Sequence, residues 1–167
     1  MAPESTTGSK ACCERPAVVA SGYQPKGHYE TYANTNFYIA GPSNAKKAIF
    51  FLYDVFGFTE QTLQGADILA ANKAGDSEYL VVMPDLFDGK PIKMEWFARD
   101  TEEKRQNVAE FMKIISDPKP YLDRILKLND ALKLQFPRVE RWGTIGCEFL
   151  LATYTHLFTG ESALTSD

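Results

Sequence analysis

The sequence predicts an α/β protein built on an open, mostly parallel sheet. Two observations lead to this prediction. Two near-continuous apolar runs, at about 47–53 and 78–83, are rich in branched and aromatic residues, as strands buried on both faces are. Amphipathic segments with helical spacing follow each of these runs. Parallel strands joined by right-handed helical crossovers are the simplest arrangement for that alternation.

Four strands are expected along the chain. The first, in "TNFYIAGP" from Thr35, is stopped by Gly41-Pro42. The two buried strands lie in "KKAIFFLYDVFG" and "EYLVVMPDLF", and a last strand candidate is "VERWGTIG".

Three helices are expected between these strands. "EQTLQGADILAANKAG" has apolar residues at helical spacing and Gly75 as its stop. Asp100, with Glu103 three residues later, predicts the N-cap of a second helix. After Asp117-Pro118, "YLDRILKLNDALKLQF" predicts a third, whose apolar stripe we interpret as core.

The length of 167 residues and an apolar content of 44% fit one globular domain. Residues 1 to about 30 are polar and predict an N-terminal arm with no regular element, followed by the domain at 31–146 and an atypical tail at 147–167. The net charge of −4 gives no reason to expect nucleic acid or an anionic membrane as partner. No stretch approaches the roughly 20 apolar residues of a membrane helix, and we expect a cytoplasmic protein.

Neither a disulfide framework nor a metal site is expected from the cysteines. There are three, two of them adjacent at Cys12 and Cys13, which favours reduced thiols. His28 and His156, the two histidines of the sequence, do not add ligand spacing. We therefore expect no metal and no cofactor.

Reactive groups of an open α/β sheet gather at the carboxyl ends of its strands. Three predicted strand ends carry candidates, in Tyr53–Gly57, Pro84–Phe87 and Gly146–Glu148. Not one of these contains the glycine-rich pattern that binds phosphate. Cys147 is the candidate nucleophile, since a thiolate can attack an ester or lactone when backbone N–H groups hold the oxyanion.

The stretch from Cys12 to Gly146 resembles the dienelactone hydrolase family, and more closely its fungal branch. The resemblance is carried by "CCERPAVVASGYQPKGHYET", "FFLYDVFGFTEQTLQGADILA", "VVMPDLFDGKP" and "RWGTIG". It implies an α/β-hydrolase fold that acts on small esters or lactones with a cysteine, histidine and aspartate triad. Asp54 matches the family's carboxylate beside the cysteine, and Val55 matches its backbone oxyanion donor.

The sequence departs from that family after Gly146. The family has Gly-x-Cys-x-Gly-Gly, whereas Cys147 lies one place early, Glu148 stands at the nucleophile's position and the later glycines are absent. The resemblance therefore implies a chain truncated at the nucleophile elbow, without the C-terminal strands and helices. The last predicted strand would become a sheet edge, through which we expect self-association.

Two functions follow. The first is hydrolysis of a small-molecule ester or lactone, with doubtful activity in this truncated chain. The second is a non-catalytic remnant, or a binding or interaction isoform. Ester turnover that is lost on Cys147→Ala would separate the first from the second.

Overall fold

The computed structural model describes residues 22–71 and 78–146. Within these two ranges, five strands form one sheet in the order β1-β2-β4-β3-β5. The strands are β1 (His28–Tyr32), β2 (Thr35–Ala40), β3 (Lys47–Leu52), β4 (Tyr79–Pro84) and β5 (Arg141–Gly146). The helices are α1 (Glu60–Ala71), α2 (Glu102–Ile115) and α3 (Lys119–Gln135), with a 3₁₀ helix at Met94–Ala98.

The sheet is mixed, so the prediction of a mostly parallel α/β-hydrolase sheet is wrong. β3 runs parallel to both β4 and β5, but β2 is antiparallel to β1 and to β4. The link at 41–46 contains no helix, and a parallel connection requires a crossover of about a dozen residues or more. The direction of β2 could not be predicted from its sequence, because residues 37–40 are all buried, as they would be in a parallel strand.

The first strand was not predicted. β1 begins at His28, inside the segment for which no regular element was expected, and joins β2 through Ala33 and Asn34. Both turn residues have positive φ, 47° and 60°, as a two-residue hairpin turn of the favoured hand requires. Since β1 is a mostly exposed edge strand, it lacks the apolar run that marks β3 and β4.

Helices cover both faces of the sheet. On one face, α3 packs Ile125, Leu128 and Leu132 into a cluster with buried residues of β2, β3 and β4. On the other face, α1 and α2 contribute a second cluster, of which Leu63 and Phe111 are members. The predicted stripe of α3 is therefore core, and the domain has three layers.

Helix α2 begins one residue later than expected. Its N-cap is Thr101, whose hydroxyl accepts a hydrogen bond from the Lys104 N–H at 3.2 Å. Asp100, the predicted cap, instead forms an ion pair with the Lys104 side chain at 2.9 Å. That contact with the Lys104 side chain lowers the pKa of the Asp100 carboxyl.

A buried carboxylate attaches the segment before β1 to helix α1. Asp67 is only 5% exposed and accepts hydrogen bonds from the hydroxyls of Tyr38 at 2.6 Å and Tyr23 at 2.7 Å, and from the Lys26 N–H at 2.8 Å. Burial, and then the bond to Asp67, raise the pKa of the Tyr38 phenol. The Tyr38 hydroxyl in turn accepts the Gly27 N–H at 2.7 Å, so one network joins three segments.

Strand β5 lies at one edge of the sheet formed by the described residues. Self-association through this edge stays a prediction, as does the division of the chain at residues 30 and 146. No helix within 22–71 or 78–146 has the length and apolar character needed to cross a bilayer.

Candidate functional site at the carboxyl ends of two strands

A cleft of about 730 Å³ opens where β3 and β5 end. Its walls come from these two strand ends, from the first turns of α1 and from the loop before the 3₁₀ helix. The wall residues are Phe51, Leu52, Tyr53, Asp54, Phe56, Thr59, Glu60, Gln61, Thr62, Gly65, Ile92, Met94, Ile145 and Gly146. The described wall surface is mostly apolar, and the acidic residues among these wall residues are Asp54 and Glu60.

Asp54, the predicted catalytic carboxylate, is half-buried on this wall. Its Oδ1 accepts the Phe56 N–H at 2.9 Å, and its carbonyl accepts the Gly57 N–H at 3.3 Å. These two bonds shape the turn after β3, and Gly57 completes it with a φ of +72°. Asp54 therefore both shapes the turn that it belongs to and is a wall residue of the cleft.

Val55, the predicted oxyanion donor, lies beside Asp54 but is not a wall residue. Its carbonyl accepts the Ile92 N–H at 3.1 Å, which joins the turn after β3 to the loop after β4. Within residues 22–71 and 78–146, its own N–H donates no hydrogen bond. The role of the Val55 N–H as oxyanion donor stays a prediction.

Cys147, the predicted nucleophile, lies outside the described residues, as do Cys12, Cys13 and His156. Gly146, which precedes Cys147 in the sequence, is a wall residue of the cleft. A Cβ at Gly146 would lie 2.8 Å from both the Cβ and the carbonyl oxygen of Leu52. Glycine is thus required for β5 to lie this close to β3.

Asp85, at the end of β4, does not join the cleft. It accepts the Phe87 N–H at 3.3 Å and lies 3.4 Å from the Tyr53 hydroxyl. That hydroxyl also accepts the Leu86 N–H at 2.7 Å. Burial, followed by the charge of Asp85, raises the pKa of the Tyr53 phenol. Asp85 and Tyr53 hold the loop after β4 in place.

The amino end of α1 was missed as a wall of the cleft. Thr59 caps this helix, because its Oγ1 accepts the Thr62 N–H at 3.2 Å. Glu60 follows the cap and accepts the Gly22 N–H at 2.9 Å. The predicted helix segment does begin at Glu60, as α1 does, but its sequence did not indicate that its first turn lies beside the ends of β3 and β5.

The described ranges contain no group of three or more residues arranged to hold a metal ion. His28, the one histidine in those ranges, lies on β1 at the sheet edge opposite β5 and contacts Glu30 at 2.8 Å. It is therefore not available as a base in the cleft.

No family model matches the chain. Two uncharacterized AIM2 family proteins of Schizosaccharomyces pombe are similar to it. One is 24% identical over 140 residues, which cover 81% of this chain and 54% of the relative. The other is 27% identical over 119 residues, which cover 70% of this chain and 46% of the relative. The chain thus spans about half the length of the curated relatives it matches.

These comparisons correct the family assignment that was based on sequence resemblance. Assignment to the dienelactone hydrolase family is wrong as stated, because no family model matches and the similar proteins are named as AIM2 family members. The comparisons show similarity to uncharacterized AIM2 family proteins at low identity, and their names state no activity.

Proposed function

We propose that this chain hydrolyses small esters or lactones, with the substrate bound in the cleft at the ends of β3 and β5. One observation carries the proposal: Asp54 and Gly146, the residue before Cys147 in the sequence, line the same cleft. The cleft volume of about 730 Å³ falls in the range of small-molecule sites, and most of the wall surface is apolar, as in such sites.

In the proposed reaction, the Cys147 thiolate attacks the ester carbonyl carbon and the alcohol leaves, which forms a thioester. Water then attacks the thioester, releases the acid and returns the thiol. Asp54 accepts the proton of the thiol as the sulfur attacks and passes it to the oxygen of the leaving alcohol; in the second step it takes a proton from the attacking water and returns it to the departing sulfur. The Val55 N–H holds the negative oxygen of each tetrahedral intermediate.

A second candidate is binding of a small apolar molecule without turnover. It is favoured by the hydrogen bond from the Phe56 N–H to Asp54, which already engages one carboxylate oxygen in shaping the turn. It is also favoured by the place of His28, on the far edge of the sheet.

Hydrolysis of 4-nitrophenyl acetate by the unsubstituted chain and by three variants tests the proposal. We expect turnover above that of an equal concentration of N-acetylcysteine, and its loss in Cys147→Ala. The matched control is the double variant Cys12→Ala/Cys13→Ala, which removes two other thiols and should keep full turnover. Asp54→Asn should lower the rate by about 10²-fold or more, as loss of a general base does.

Turnover that survives Cys147→Ala would contradict the proposed nucleophile. Turnover no faster than that of the free thiol would contradict hydrolysis as the function and favour binding. Asp54→Asn keeps an oxygen that can accept the Phe56 N–H, so its effect on rate is separable from a collapse of the turn.

A further inference from the structure

The charged side chains among the described wall residues are all negative. Asp54 and Glu60 contribute two carboxylates, and neither lysine nor arginine is among the described wall residues. Lys93, which precedes the wall residue Met94, places its Nζ over the ring of Trp96, 5.7 Å from the ring centroid. The one positive contribution on the described wall is the amino end of α1, equivalent to roughly half a charge. The described wall is therefore net negative.

The apolar part of the wall suits a flat or bulky hydrophobic group. Phe51 and Phe56 supply partly exposed aromatic rings, and Met94 adds aliphatic surface. Tyr53 and Ile92 also line the cleft, but each is only 2% exposed. Met94 is 66% exposed, which leaves uncovered apolar surface at the cleft. Aromatic faces attract cations, above all quaternary ammonium groups, and so act in the same direction as the two carboxylates.

We propose that this cleft selects an aromatic ligand that is neutral or positively charged and rejects one that carries a carboxylate. This selection names a substrate class for the proposed hydrolysis, and as a statement about substrates it rests on the proposed function. As a statement about ligand binding it rests only on the residues of the cleft wall. An anionic ligand would lose its hydration on entering the cleft, and the two carboxylates would repel it. The described wall has no lysine or arginine that could pair with the ligand's charge.

Three non-hydrolysable amides that differ in one para group test this selection without turnover. They are 4-tert-butylacetanilide, its trimethylammonium isostere and 4-acetamidobenzoate. Dissociation constants for the full chain, measured by ligand-observed NMR at low salt, should be lowest for the cation. The carboxylate should bind on the order of tenfold more weakly than the neutral amide. Added salt should reduce the difference.

Two charge-removing variants and one control assign the effect to the cleft. Asp54→Asn and Glu60→Gln keep oxygens that can accept the Phe56 and Gly22 N–H groups. Each should narrow the gap between cation and carboxylate several-fold. Glu102→Gln is the matched control, because Glu102 starts a different helix, does not line the cleft and pairs with Arg105. It should leave the gap unchanged.

Equal or tighter binding of the carboxylate would overturn the proposal, and so would a gap that Asp54→Asn and Glu60→Gln do not narrow. Failure of all three amides to bind would overturn it as well. Selective binding by a chain that shows no ester turnover would contradict hydrolysis alone and leave the selection standing.

Discussion

Replacement of Gly41 by alanine is expected to lower the free energy of unfolding by more than about 3 kcal/mol. Gly41 follows β2 with a φ of +89°, which an alanine adopts only with strain. A Cβ there would also overlap the carbonyl oxygen of Tyr79, at the start of β4, and crowd the Ala70 Cβ at 3.3 Å. Since the overlap is with backbone, β2 and β4 would have to separate. Urea titration followed by circular dichroism measures the loss.

Gly89→Ala is the matched control for this prediction. Gly89 has a φ of +73°, but a Cβ there would meet nothing within 4 Å. Its substitution should therefore cost only the backbone strain, about 1 kcal/mol. If Gly41→Ala and Gly89→Ala lowered the free energy of unfolding equally, the close contact of Gly41 with Tyr79 and Ala70 would be contradicted.

Asp67→Ala is expected to lower the free energy of unfolding by about 3 kcal/mol or more. The substitution removes the acceptor of three hydrogen bonds, from Tyr23, Lys26 and Tyr38. Tyr38 has no exposed surface, so its hydroxyl would lose a strong acceptor in a place that water does not reach. Chemical denaturation measures this loss, and Tyr23→Phe should give only part of it.

Asp130→Ala provides the comparison for Asp67→Ala. Asp130 is also a helical aspartate, but its side chain is 80% exposed, and its contact with Lys133 is long, at 3.9 Å. Its replacement should change stability by no more than about 0.5 kcal/mol. An Asp67→Ala variant as stable as Asp130→Ala would show that the segment before β1 is not held by this network.

The parts of the fold that could be predicted are those whose signal is local. β3 and β4 are continuous apolar runs, and helix α3 has a regular apolar stripe, so each element follows from its own residues. The direction of β2 depends instead on the strand with which it pairs, and that pairing cannot be predicted from the residues of β2 alone. β1 is polar and mostly exposed, and becomes a strand because the turn at Ala33 and Asn34 brings it to β2.

The candidate site could be predicted where it lies at strand ends. Asp54 and Gly146 were singled out by that criterion, and both line the cleft. Asp85 satisfied the same criterion but faces Tyr53 instead, because a side chain at a strand end can turn to a neighbouring loop. Glu60 was missed because an acidic residue at a helix start has an ordinary stabilising role. Asp67 was missed because its donors lie between 29 and 44 residues away in sequence.

The most direct test of the central claim is to locate where an aromatic amide binds. Amide chemical shifts of the isotope-labelled chain should be recorded with increasing 4-tert-butylacetanilide. The proposed site predicts changes concentrated at 54–65 and 145–146, around the cleft. A second hollow of about 210 Å³, lined by Lys26, Gly41 and Asp67 among others, serves as the internal comparison. Changes confined to that hollow, or spread evenly over the domain, would contradict the claim that the ends of β3 and β5 form the functional site.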